Sequence, residues 1–191
     1  MRDKRQQRTI PCAYRAEERE DGKYIEGYFA VFGSDYELWD GAKENVAPTA
    51  FDGALNDDIR CLIDHETRLV LGRTTAGTLE LRTDEHGLWG RVKINEEDTD
   101  AMNLYSRVKR GDVSQCSFGF EILDEKIEYG EDGSVRFIIL RVKLYEVSVV
   151  TFPAYRDTAV SARREEYEEI KKRQLDSWRE RNMRRLKKHG A

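Results

Sequence analysis

The chain has 191 residues, which is enough for one domain with an appendage. Charged residues make up 37% and apolar residues 39% of it, so a core can form only if the charge is concentrated outside the core. The sequence contains no apolar run of about 18 residues, no apolar segment behind its basic first residues, and only three scattered cysteines and three histidines. We therefore expect no membrane span, no secretory signal, no metal site and no cofactor.

The net charge of −4 is divided unevenly along the chain. Residues 162–191 contain 11 Lys and Arg against 6 Asp and Glu, a net of +5, so the remainder carries −4 − 5 = −9. We expect a mobile segment over residues 1–20, a folded domain over 21–160 and a charged helical tail over 161–191. The tail is interpreted as a solvated helix or as a helix that docks onto a partner. Specific nucleic-acid binding is less favoured, because acidic residues interrupt the basic stripe.

In chain order, short apolar runs separated by turn residues predict a mainly β protein with one or two flanking helices. A long connection over residues 33–57 contains Pro48, where a short helix is expected to begin. Thr99 is a candidate cap for a second helix that ends at Gly111. The predicted strands cover residues 24–32, 59–63, 78–82, 88–94, 113–123, 135–142 and 144–151. Many short strands of this kind predict a closed or nearly closed β-barrel.

Three separated positions together have the residue types of a nucleophilic triad. Ser117 needs a base, because a serine hydroxyl is a weak nucleophile at neutral pH. His65 is the best candidate, since it alone follows an apolar strand, whereas His86 lies in a polar turn and His189 in the basic tail. Glu146 lies among β-branched residues, where a carboxylate is costly unless it is paired. The three would follow the chain order His, Ser, Glu, and triads are recognised by geometry rather than by order.

Two residues compete for these roles. Cys116 precedes Ser117, but alternation along a strand places it on the same face as Phe118 and Phe120, where it would be buried packing. Asp64 precedes His65 and could replace Glu146 as the orienting acid. Neighbours on a strand point to opposite faces, which makes Asp64 the less favoured acid.

Several short segments of the chain form a recognisable set: Gly27–Phe32, Ala50–Phe51, Asp64–Glu66 with Leu71–Gly72, Gly87–Leu88, Ser117–Phe120 and Glu146–Tyr155. Through these segments the chain resembles, over roughly residues 24–160, the prohead proteases of tailed bacteriophages. It departs from their common pattern at Asp64, where Asn is expected, and at Cys116, where Met or Leu is usual.

The resemblance implies a fold shared with the herpesvirus assembly proteases and a Ser-His-Glu serine endopeptidase. Such an enzyme would act inside the procapsid, in the host bacterial cytoplasm. Its substrates would be scaffold, or the scaffold-like segment of the major capsid protein, and finally itself. It could form a homo-oligomer. The oxyanion donors would lie in the loop from Pro153 to Thr158, with Arg156 adding charge. The alternatives are a catalytically silent assembly or scaffold protein on the same fold and a hydrolase of another acyl substrate.

Overall fold

The computed structural model describes residues 5–11, 14–152, 163–165 and 167–173, and the single helical positions 176, 179 and 183. The chain divides into two compact units, Met1–Ala154 and Tyr155–Ala191. The described part of the second unit is helical. The first unit contains every element discussed below.

The described residues of the first unit form eleven strands and one α-helix. The helix α1 covers Thr99–Arg110. The strands are β1 (Gln6–Pro11), β2 (Arg15–Arg19), β3 (Gly22–Val31), β4 (Tyr36–Trp39), β5 (Ala42–Val46), β6 (Arg60–Ile63), β7 (Glu66–Arg73), β8 (Leu79–Thr83), β9 (Gly87–Lys93), β10 (Gln115–Tyr129) and β11 (Val135–Val150).

The strands form two sheets. The larger has seven strands, with the order β1-β10-β11-β5-β4, and β6 pairs with β11 and with β7. The smaller has four strands, with the order β2-β3-β9-β8. One hydrophobic core contains side chains from both sheets and from α1, among them Ile25, Phe118, Val147 and Leu104. Burial of these apolar groups is the main force that holds the elements together.

The long strand β11 organises the larger sheet. Its first half pairs in parallel with β5, from Val135–Ala42 to Ile139–Val46. Its second half pairs in parallel with β6, from Glu146–Arg60 to Val149–Ile63. Its other edge pairs with β10 in an antiparallel hairpin. Two segments distant in sequence therefore meet the same strand, and the start of β6 at Arg60 lies opposite Glu146, while its end at Ile63 lies opposite Val149.

Several predicted elements are confirmed. The predicted strands 78–82 and 88–94 are present as β8 and β9, which pair as an antiparallel hairpin. The helix ends at Gly111, which has a φ of 87°. Its cap is Asp98 rather than Thr99, because the Asp98 carboxylate accepts from the backbone N–H groups of Asp100 and Ala101.

Other expectations differ from the structure. The described residues form two sheets and not a closed barrel. Strands β1 and β2 lie within residues 1–20, where composition predicts a mobile segment, and β4 and β5 lie within the expected loop. The charged side chains of these short strands hide the alternation, while their backbones are satisfied by pairing with partners elsewhere. The predicted strands 135–142 and 144–151 are one strand, since nothing turns the chain at Lys143.

Candidate active site

His65 lies in a two-residue turn between β6 and β7. Asp64 and His65 have φ values of 48° and 61°, and Ile63 pairs with Glu66 across the turn. Two consecutive positive φ values are typical of a type I′ turn, which matches the twist of a hairpin. The Asp64 N–H donates to the Val149 carbonyl at 3.0 Å, which ties the turn to β11. His65 is thus held by a tight turn and not by the strand itself.

The His65 imidazole is paired with the Glu146 carboxylate. The distance from Nδ1 to Oε1 is 2.7 Å, and the two side chains are only 15% and 13% exposed. A carboxylate at this position fixes the ring orientation and keeps the proton on Nδ1, which leaves Nε2 as the basic nitrogen. The register of β6 against β11 produces this pair across 81 residues of sequence.

Two further residues support Glu146. The Ser148 hydroxyl donates to Glu146 Oε2 at 2.5 Å, and Ser148 is fully buried. Gly119 faces Glu146 across the β10–β11 pair, and a Cβ there would lie 2.3 Å from Glu146 Oε1. A register shift follows Gly119. Sequence analysis did not identify Ser148 as part of the site, and the Glu146 carboxylate fills the space beside Gly119.

Asp64 has a different partner from the one considered above. Its Oδ1 accepts from the Thr151 N–H at 2.6 Å, and its Oδ2 accepts from the Thr151 hydroxyl at 3.1 Å. Asp64 therefore anchors the end of β11, and its carboxylate is exposed. Asp64 and His65 lie in a turn, so alternation along a strand does not decide which acid meets the imidazole. The distances do, because His65 Nδ1 contacts Glu146 Oε1.

Ser117 lies beside this pair on β10 and is fully buried. It is opposite Ser148 on β11 and opposite Thr9 on β1. Its hydroxyl donates to the backbone carbonyl of Arg8 at 2.9 Å. The Nε2 atom of His65 is buried and has no hydrogen-bond partner among the described residues. The serine and the imidazole are thus present without a hydrogen bond between them.

The cysteines near the site are poor nucleophiles. Cys116 belongs to the buried core and is disulfide-bonded. Cys61 is a free, fully buried thiol. Burial raises the pKa of the Cys61 thiol, and the nearby negative charge of Glu146 raises that pKa further. Of the other histidines, His86 packs edge-on against Tyr28 with ring centroids 4.4 Å apart, and His189 lies outside the described residues.

Within the described part of the chain, no group of three His, Cys, Asp or Glu side chains is arranged to hold a metal ion. No described helix is long and apolar enough to cross a membrane. The loop expected to provide the oxyanion donors, Pro153 to Thr158 with Arg156, lies outside the described residues.

A buried serine beside a histidine–carboxylate pair provides the three residue types of a serine hydrolase site. The chain belongs to the caudovirus prohead serine protease family, whose profile matches residues 11–173.

Two sequence relatives agree with this assignment. The chain is 34% identical over 97 residues to the prohead protease of Escherichia phage T5. The aligned region covers 51% of this chain and 42% of the T5 protein. It is 28% identical over 148 residues to the prohead protease of Enterobacteria phage HK97. The aligned region covers 74% of this chain and 61% of the HK97 protein. The chain thus spans about half of these relatives.

The structure also resembles that of the bacteriophage T4 capsid assembly protease, with a TM-score of 0.51 and 12% identity. The alignment covers 79% of this chain and all of the T4 chain. At this identity, the likeness concerns the fold alone.

Proposed function

We propose that the chain is a serine endopeptidase with Ser117 as nucleophile, His65 as general base and Glu146 as orienting acid. The observation that carries this proposal is the 2.7 Å contact between His65 Nδ1 and Glu146 Oε1, beside the strand that bears Ser117. Membership of the prohead serine protease family supports the same assignment.

In this mechanism the Ser117 oxygen attacks a peptide carbonyl carbon while its proton passes to His65 Nε2. Glu146 stabilises the imidazolium that forms. The C–N bond then breaks, and His65 gives the proton to the leaving amine. Water hydrolyses the acyl-enzyme by the same route, which returns the proton to Ser117. A change of the Ser117 rotamer from the Arg8 carbonyl towards His65 Nε2 must precede the first step.

The substrate we propose is scaffold, or the scaffold-like segment of the major capsid protein, and finally the enzyme itself. The site of action would be the procapsid interior in the host bacterial cytoplasm. Support comes from the names of the two relatives, which are both prohead proteases. A catalytic centre confined to the procapsid would leave host proteins intact.

The test is active-site labelling with a fluorophosphonate, followed by peptide mass spectrometry. We expect the label on Ser117 and expect Ser117→Ala to lose both labelling and cleavage of co-expressed capsid protein. Ser148 is the matched internal control, because it is equally buried and lies directly opposite Ser117. A label on Ser148, or proteolysis that survives Ser117→Ala, would contradict the assignment of the nucleophile.

One observation favours a second candidate, a catalytically silent assembly protein on the same fold. The Ser117 hydroxyl is bonded to the Arg8 carbonyl, and His65 Nε2 has no partner among the described residues. A silent protein would show neither labelling nor cleavage, even with procapsids present. Turnover of small esters without peptides would instead indicate a hydrolase of another acyl substrate.

A further inference from the structure

Strand β1 covers the edge of the strand that carries Ser117. The two strands pair in antiparallel register from Gln6–Phe120 to Pro11–Gln115, and β1 is the last strand on this side of the sheet. Without β1, the backbone N–H and C=O groups of β10 would form an open edge. An open edge next to a nucleophile can bind an extended peptide by adding one more strand.

The contact between β1 and the candidate nucleophile is specific. Ser117 Oγ donates to the carbonyl oxygen of Arg8 at 2.9 Å. In a peptidase, the carbonyl group that the nucleophile contacts is that of the residue before the scissile bond. The Arg8 carbonyl thus lies against Ser117 as the carbonyl of that substrate residue would, with the contact made at its oxygen. The hydroxyl donates to this carbonyl oxygen, and His65 Nε2 accepts no hydrogen bond among the described residues, so the arrangement is a resting one.

The side chain of Arg8 lies in a buried site that contains the carboxylate of Glu44. Its guanidinium forms an ion pair with Glu44, through Nε to Oε1 and through Nη2 to Oε2 at 2.8 Å. Glu44 is fully buried and Arg8 is 7% exposed. The guanidinium also lies over the ring of Phe120, 5.4 Å from its centroid. A buried carboxylate beside an aromatic face favours a cation strongly over a neutral side chain.

The contacts of Arg8 fall into two groups. Its hydrogen bonds to the Gln7 carbonyl and to Gln6 Oε1 are made within β1, so they would leave with that strand. Glu44 and Phe120 belong to β5 and β10, so they would remain. The negative charge of Glu44 also affects Tyr36. Burial of Tyr36, and secondly the charge of Glu44, raise the pKa of Tyr36 to about 12. What would remain is an acidic site at the edge of β10.

We propose that β1 occupies the substrate-binding edge of β10, and that Glu44 selects an extended peptide with Arg or Lys before the scissile bond. This inference rests on the proposed peptidase function. In it, β1 is a substrate-like strand that competes with the substrate for the same edge, and the ion pair between Arg8 and Glu44 holds it there.

The first experiment uses the full chain and a set of fluorogenic peptides that differ at one residue. That residue, the one before the cleaved bond, is Arg, Lys, Gln, Met or Glu. We expect the Arg and Lys peptides to have a kcat/KM at least about 100-fold above that of the Gln peptide, because a neutral side chain does not replace the charge of Arg8 at the buried carboxylate. Equal cleavage of all five peptides would overturn the inference.

Variants then separate selection from a purely structural ion pair. Glu44→Gln should reduce the preference for Arg over Gln to less than about 10-fold, by raising KM for the Arg peptide. The matched control is Glu26→Gln, because Glu26 is also a buried carboxylate paired with arginines, in the other sheet. It should leave the preference unchanged. A preference that persists in Glu44→Gln, or falls equally in Glu26→Gln, would refute the role of Glu44.

The competition by β1 is tested by Arg8→Gln in the full chain. We expect fluorophosphonate labelling of Ser117 to become about 10-fold faster, with the preference for Arg peptides retained. In the double variant Arg8→Gln/Glu44→Gln, both charges of the ion pair are removed together, and labelling should stay fast while the preference is lost. Unchanged labelling in both folded variants would refute the competition by β1.

The experiments distinguish a wrong substrate preference from a wrong peptidase function. Cleavage of all peptides without a basic preference would refute this inference and leave the proposed peptidase intact. Absence of both labelling and cleavage in the wild type and in every variant would refute the proposed function, and this inference with it. Thermal unfolding of each variant shows whether it is folded, and the peptide series on the wild type needs no variant at all.

Discussion

Replacing Gly119 by alanine is the sharpest test of the histidine–carboxylate pair. The new Cβ would lie 2.3 Å from Glu146 Oε1, 3.0 Å from its Cδ and 3.1 Å from its Cγ. Separation to at least 3.0 Å requires Oε1 to move by about 0.7 Å, since 3.0 − 2.3 = 0.7. The same oxygen makes the 2.7 Å contact with His65 Nδ1, so that contact is lengthened or lost.

The expected magnitude follows from the role of the carboxylate. A displacement of about 1 Å in a catalytic group costs roughly 100-fold, and loss of the acid's function roughly 10⁴-fold in turnover. We therefore expect kcat of Gly119→Ala to fall by about 10² to 10⁴, or about 3 to 5 kcal/mol in activation free energy. The free energy of unfolding should change by only about 1 to 3 kcal/mol, as for other overpacked positions.

The assay is peptide cleavage by the purified full chain, with thermal unfolding measured in parallel. Gly130→Ala is the matched control, because its Cβ would lie equally close, 2.3 Å, to Ser134 Oγ, at the tip of the β10–β11 hairpin. The control should keep full activity. Normal turnover by a folded Gly119→Ala would refute the argued contact, and equal loss in Gly130→Ala would point to general distortion of the hairpin.

The remaining predictions concern other parts of the chain. Glu146→Gln should lower kcat about 10⁴-fold. Asp64→Asn should lower kcat less than about 10-fold, because asparagine can still accept the hydrogen bond at the end of β11. The reverse ranking would show that the orienting acid is misassigned. Cys61 should react with a thiol reagent at pH 8 at least about 100-fold more slowly in the folded than in the unfolded chain. Burial and the charge of Glu146 raise the pKa of the Cys61 thiol and so disfavour the reactive thiolate. Rapid labelling of the folded protein would contradict the burial of Cys61. Deletion of residues 162–191 should leave peptide cleavage nearly intact and reduce the protease found in purified procapsids, and a truncated enzyme that is packaged normally would argue against docking by the tail.

Local pattern in the sequence predicted the elements whose signals lie within a few residues. The apolar positions of α1 and the glycine after it define the helix, because 3.6-residue periodicity and a left-handed cap are local properties. The hairpin of β8 and β9 is recognisable in the same way. The mainly β class and the candidates His65, Ser117 and Glu146 followed from such signals and from the resemblance to a known family.

Tertiary structure decided what those candidates contact. The pair of His65 and Glu146 exists because β6 joins β11 in a particular parallel register, which no local pattern specifies. The closeness of Gly119 to Glu146, and the bond from Ser117 to the Arg8 carbonyl, depend on strand pairings between distant segments. Charged β1 has no clear strand signal, and it becomes a strand because the edge of β10 satisfies its backbone and Glu44 neutralises Arg8. Such long-range pairings depend on the burial and hydrogen bonding of the whole sheet, and therefore only the folded chain reveals them.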